Sequence, residues 1–103
     1  MHRSEKVVTE DVRSKLRSEI MPATWPELLY QFARGGLFLV DNEGDLLDVA
    51  HAVAQDDKTT VERMVTTGRL RRATDDDARR FQAATAQRFQ FVIVQPWVIA
   101  QAL

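Results

Sequence analysis

The chain has no cysteine among its 103 residues. That excludes a disulfide framework, a cysteine nucleophile and thiolate metal ligands. It agrees with a cytoplasmic location, which is the expectation here. Histidine is nearly as scarce, with only His2 and His51. The serines, Ser4, Ser14 and Ser18, all lie near the N-terminus, and no nucleophile–base arrangement follows from them. Charge of one sign is also missing. A formal net charge of -1 advertises neither nucleic acid nor a basic partner. No apolar run is long. The most apolar stretch, Phe89 to Leu103, is broken by Gln95, Pro96 and Gln101 and is too short to span a bilayer. Met1 to Glu10 is polar and does not read as a signal peptide.

Hydrophobic residues make up 45% of the chain, enough for a packed core and too many for a disordered segment. The length suits one domain spanning residues 1–103, with residues 1–8 as a flexible tail. A helix is expected from Glu10 to Met21 with Thr9 as its cap. Val12, Leu16 and Ile20 form its apolar stripe, and Pro22 ends it. Thr24-Trp25-Pro26-Glu27 has capping-box spacing and opens a second helix, which Gly35-Gly36 closes. Leu37 to Val40 reads as a buried strand, and Asp41-Asn42-Glu43-Gly44 as a turn.

Asp45 caps a helix to Gln55. Asp56-Asp57 breaks and recaps the chain, and a further helix runs to Thr67, with Gly68 after it. Arg69 to Ala73 is a weak strand. Thr74 to Asp77 caps a fifth helix, and Phe89 to Val94, aromatic and β-branched, is the strongest strand. Pro96 cannot donate to a ladder, so pairing is expected to change there.

The expected fold is therefore α+β, with a small three-stranded sheet and about five helices. The element order is winged-helix-like, with a helix in place of the wing. In that arrangement Phe89 to Val94 is the central strand and pairs with Leu37 to Val40, because a central strand is apolar on both faces.

Few residues suggest chemistry. Asp45, Asp48 and His51 lie three apart and share one helical face, where they form a metal or acid–base candidate or, more simply, a solvated polar stripe. Asp41 to Asp45 lacks the spacing of a calcium loop, and Gly35-Gly36 lacks the lysine of a phosphate loop. No catalytic residue, metal site or cofactor is expected. The helix pair Leu47 to Gly68 resembles a helix-turn-helix. Lys58, Arg63, Arg69, Arg71 and Arg72 are its candidate nucleic-acid contacts, opposed by Asp56 and Asp57 at the start of the second helix. Trp25 and Trp97 each sit beside a proline, as core anchors or interface residues. The apolar tail supplies a candidate homodimer interface of Trp97, Val98, Ile99 and Leu103.

The motif string Trp25-x-x-Leu28-x-x-x-Phe32-Ala33-x-Gly35 is followed by Asp45-Leu46-x-x-Val49-Ala50. Asp56-Asp57, Gly68-Arg69-Leu70, Thr74 and Ala78 come next, and the string ends on Val92-x-Val94-x-Pro96-Trp97-Val98 and Gln101. This resembles the Domain of Unknown Function 2288 family, over nearly all of the chain after about Val12. One departure is Met64, near which the family pattern carries tryptophan; the thioether fills similar volume without an indole N–H. The resemblance implies a bacterial cytoplasmic protein and no particular activity. The residues themselves point to a small, non-enzymatic interaction or regulatory module that self-associates. The alternative is a winged-helix-like DNA-binding regulator. No membrane association is expected.

Overall fold

The computed structural model describes residues 2–103, with side chains from Asp11 onward. The fold is α+β, with five helices and a five-stranded mixed sheet among the described residues. In chain order the elements are α1 (His2–Glu19), β1 (Met21–Thr24), α2 (Trp25–Ala33), β2 (Leu37–Val40) and α3 (Leu46–Ala54). They continue with α4 (Lys58–Thr66), β3 (Leu70–Arg72), α5 (Asp75–Ala83), β4 (Arg88–Val94) and β5 (Trp97–Ala102). The strand order is β1-β4-β5-β2-β3. β2 and β5 run parallel, and every other pair is antiparallel.

Side-chain alternation along the strands builds two cores, one on each face of the sheet. Leu37, Leu39, Phe89, Val98 and Ala100 meet Trp25 and Leu28 of α2 and Phe81 of α5. Val40, Leu70, Val92 and Ile99 meet Leu16 of α1 and Leu46, Leu47, Val49 and Ala50 of α3. Val61 and Met64 of α4 pack more loosely on the second core, and no residue of α4 is fully buried.

The helix signals hold locally. The Glu27 carboxylate accepts the Thr24 backbone N–H at 2.8 Å, which closes the start of α2. Gly35, at φ +77°, takes the left-handed turn after that helix. Asp45 accepts the Asp48 N–H at 3.1 Å, and Asp57 accepts the Thr60 N–H at 3.2 Å. Asp56 sits between these helices at φ +55°, a left-handed conformation that aspartate tolerates better than most residues. The Asp56-Asp57 pair therefore turns the chain and recaps it, as expected.

The sheet needs correction. It has five strands, not three. β4 is interior but does not pair with β2, because β5 lies between them. β3 pairs directly with β2, so the interleaved three-strand order of a winged helix is replaced by another pairing. Pro96 does not end the sheet. Gln95 and Pro96 form the two-residue turn of a β4–β5 hairpin, with Val94 opposite Trp97 and a cis Gln95–Pro96 bond. Pro22 lies beyond the first helix, inside β1. There proline is tolerated because β1 is an edge strand. α1 ends at Glu19 rather than Met21, and its backbone runs through residues 2–8, the stretch read as a tail. The side chains of residues 1–10, with the Thr9 cap, lie outside the described residues.

One buried polar residue locks the strand ends to a loop. Gln101, 7% exposed, donates from Nε2 to the carbonyls of Asp41 and Gly44, both at 2.8 Å, and accepts from Gln90 Nε2 at 2.9 Å. Its amide therefore holds the Asp41–Gly44 turn against the sheet. Replacing it by leucine strands these partners in a dry environment, each at a cost of about 1–3 kcal/mol where water cannot reach. Gln101→Leu is expected to lower the thermal midpoint by several degrees in calorimetry. An unchanged midpoint would mean that the turn holds itself.

Candidate functional site

The three arginines read as one basic cluster are separated by the sheet. In β3, Arg71 points to the α2/α5 face, while Leu70 and Arg72 point to the other. Each is engaged. Arg69 pairs with Asp41 at 2.9 Å and Glu43 at 3.4 Å. Arg71 pairs with Asp77 through both terminal nitrogens, at 2.6 and 2.8 Å. The Arg72 guanidinium lies 5.1 Å from the centre of the Phe38 ring. Lys58 and Arg63 are on α4. Arg69, Arg71 and Arg72 therefore form no shared basic stripe of the kind a DNA backbone requires.

The Arg71–Asp77 pair belongs to a larger arrangement. Asp77 is the third residue of α5, and its backbone N–H bonds to the Thr74 hydroxyl at 3.2 Å. Its carboxylate, only 3% exposed, accepts five donors: two from Arg71, the Thr74 N–H and hydroxyl, and Arg80 Nη2 at 3.2 Å. The Arg71 guanidinium first of all, helped by the Thr74 bonds, holds the Asp77 carboxyl well below the usual carboxylate range, against the opposing effect of burial. Asp77 in turn raises the Arg71 pKa. Beside the pair is a cavity of about 310 Å³, lined by Leu39, Asp41, Asn42, Arg71, Arg80 and Phe81 among others.

A second concavity lies on the opposite face, between α3, α4 and the sheet. It holds about 200 Å³ and is walled by Phe38, Val53, Val61, Val65, Leu70, Trp97 and Ile99. Trp97 meets Phe38 edge-on, with ring centres 5.3 Å apart. Trp97 is 37% exposed and Val65 is 52% exposed, so this groove opens to solvent.

The expected C-terminal interface is not one surface. Val98 and Ile99 are 4% and 1% exposed because β5 is the middle strand, apolar towards both cores. Trp97 and Leu103 flank them at opposite ends of a strand roughly 20 Å long. Only Trp97, at the groove rim, and Leu103, 68% exposed, remain at the surface. Trp25 is a core residue, 3% exposed and packed among Phe32, Phe81 and Phe89.

The row on α3 resolves into separate contacts. Asp45 caps its helix, Asp48 binds Arg13 of α1 at 2.5 Å, and His51 is half-buried on the same helix. No group of three histidine or acidic residues among the described residues could hold a metal ion. No described helix is long and apolar enough to cross a membrane.

With the geometry in hand, comparison with known proteins places the chain. The profile of the family described as Protein of unknown function (DUF2288) matches residues 11–102. The chain belongs to this family. A solved relative is PA1075 from Pseudomonas aeruginosa, whose structure was determined in solution by NMR. It is 38% identical, with a TM-score of 0.77 over 85% of this chain and 81% of that one. No curated protein matches. Membership in DUF2288 therefore accounts for the resemblance seen in the Trp25 to Gln101 motif string, and it assigns no activity.

Within this DUF2288 chain, sequence reasoning missed Asp77 and Gln101. In the sequence Asp77 shows only as a helix-capping acid, at the Thr74-x-x-Asp77 spacing of a capping box. In the sequence Gln101 shows as a break in an apolar tail and as the end of the motif string, with no structural role attached. Its partners are 57 and 60 positions away in sequence, so no local pattern reveals them.

Proposed function

We propose that this chain is a small non-enzymatic interaction module that self-associates through the groove beside Trp97. One observation carries the reading: a solvent-open groove walled almost wholly by apolar side chains, with a partly exposed tryptophan at its rim. Exposed apolar concavities mark interaction sites, and tryptophan is enriched at their centres. The adjoining helix α4 carries Lys58, Glu62 and Arg63, charges of both signs that suit a self-complementary contact. Twofold pairing is the commonest closed assembly, and a second copy is the occupant committed to here. A cytoplasmic, bacterial setting is part of the proposal, supported by the absence of cysteine and by the Pseudomonas relative.

The alternative, a winged-helix-like DNA-binding regulator, draws on the α3–α4 pair and on α5 in the place of a wing. It is weakened by the engaged arginines and by Asp56 and Asp57 at the start of α4.

Light scattering after gel filtration tests the proposal. Twice the monomer mass is expected at high micromolar concentration. Trp97→Ala and, separately, Val65→Asp at the exposed rim should return the chain to monomer while far-ultraviolet dichroism stays folded. A wild-type monomer at that concentration, or a dimer that survives both substitutions, would overturn it.

A further inference from the structure

We propose that the cavity beside α5 binds a small organic anion, its carboxylate or phosphate oxygens held by Arg71 and Arg80. This site lies on the opposite sheet face from the Trp97 groove and does not depend on self-association.

Two guanidiniums converge on one buried carboxylate, that of Asp77. Asp77 already accepts five donors and has no further capacity for either arginine. Of the nearby acids, Asp41, which also lines the cavity, shares Arg69 with Glu43, and Asp76 pairs with Arg79. Three guanidiniums thus face three carboxylates, so the site offers an anion the unused donors of Arg71 and Arg80 rather than a surplus of charge.

Donors are left over. A guanidinium offers five N–H groups in a fixed fork. Arg71 gives two of these to Asp77, and Arg80 gives one. Both arginine side chains are partly open to solvent, at 46% and 60%. Asp77 thus fixes two forked donors side by side on the wall of a cavity. Paired arginines in that posture suit an oxyanion, because the fork matches carboxylate and phosphate geometry.

The cavity's shape narrows the ligand class. Its volume of about 310 Å³ is at the small end of ligand-binding clefts. Leu39 and Phe81 add an apolar wall behind the charged one. A bare anion would leave that wall unused. A ligand with one anionic group and a small flat or aliphatic body would use both.

Nitrogen-15 spectra of the arginine Nε–H groups provide the test, with benzoate, phenyl phosphate and inorganic phosphate as probes at physiological salt. Saturable shifts at Arg71 and Arg80 are expected with benzoate or phenyl phosphate, and whichever saturates first identifies the preferred oxyanion. Inorganic phosphate should bind more weakly. Arg80→Gln should weaken binding at least tenfold, and Arg80→Lys less, because the charge remains and the fork does not. Arg79→Gln, whose side chain faces Asp76, should change nothing. Non-saturating shifts spread equally over Arg13, Arg34 and Arg88 would overturn the proposal. So would unchanged binding in a folded Arg80→Gln protein.

Discussion

Asp77→Ala is expected to destabilise the fold by roughly 3 kcal/mol, the lower end of the range for breaking a buried ion pair. The lower end applies because Arg71 and Arg80 are partly exposed and can turn to water once the carboxylate is gone. What cannot turn to water as readily is the start of α5. Asp77 accepts the Thr74 N–H at 2.8 Å and its hydroxyl at 2.9 Å, and the truncation removes both. Urea unfolding measures the loss as a lower midpoint with an unchanged slope.

The pH dependence has a definite sign. The folded-state pKa of Asp77 is lowered, by the Arg71 guanidinium before all else. Its stabilising contribution is therefore complete above the unfolded value, about 4, and is lost as pH falls through the folded value. The wild type should lose stability progressively below about pH 4. Asp77→Asn keeps the shape without the charge, so its acid limb should be flatter. An Asp77→Ala protein as stable as the wild type at pH 7 would show that the convergence of donors holds nothing together.

The same residue illustrates how far the sequence could be read. Caps, breaks and helix faces depend on neighbours three or four positions away, so α2, α3, α4 and α5 were legible with their capping residues. Arg71 and Asp77 are six positions apart and belong to different elements, a strand and a helix. Their pairing depends on which face of β3 carries Arg71, and a strand of three residues does not declare its facing.

The missing strands have a comparable cause. β1 hides behind Pro22 and β5 behind Pro96, two residues that normally argue against pairing. An edge position excuses the first and a hairpin turn the second, and both are facts of sheet order rather than of local pattern. Reading Trp97 to Leu103 as a surplus apolar tail followed from that. Once β5 is the middle strand, the surplus disappears: Val98 and Ala100 serve one core and Ile99 the other. The candidate site suffered in the same way. Arg69, Arg71 and Arg72 fall within four consecutive residues, but the pleat sends Arg71 and Arg72 to opposite faces, and Arg69 lies beside the Asp41–Gly44 turn.

The largest loss is expected from Phe89→Ala, at about 3–5 kcal/mol. Phe89 is fully buried, and its position explains why no neighbour can substitute for it. It faces Ala23 on β1 and Ala102 on β5, two small residues that leave the ring room to stand upright on the sheet. Above the sheet it meets Phe81 edge-on with ring centres 4.9 Å apart, and Trp25 at 6.1 Å. One side chain therefore joins β4 to both helices of that layer, α5 through Phe81 and α2 through Trp25. Truncation removes the transfer free energy of the ring and also leaves a cavity that two alanines cannot close. The edge-to-face contact with Phe81 adds about 0.5–1.5 kcal/mol beyond area burial, which places the cost towards the upper part of the range. In a Trp97→Phe background, Trp25 is the sole tryptophan, and its emission should shift to the red as water reaches the cluster. Phe89→Leu, which refills much of the volume, should recover most of the stability and the blue emission. If Phe89→Ala unfolded at the wild-type urea midpoint, the α2/α5 layer would have to be held by contacts other than this aromatic cluster.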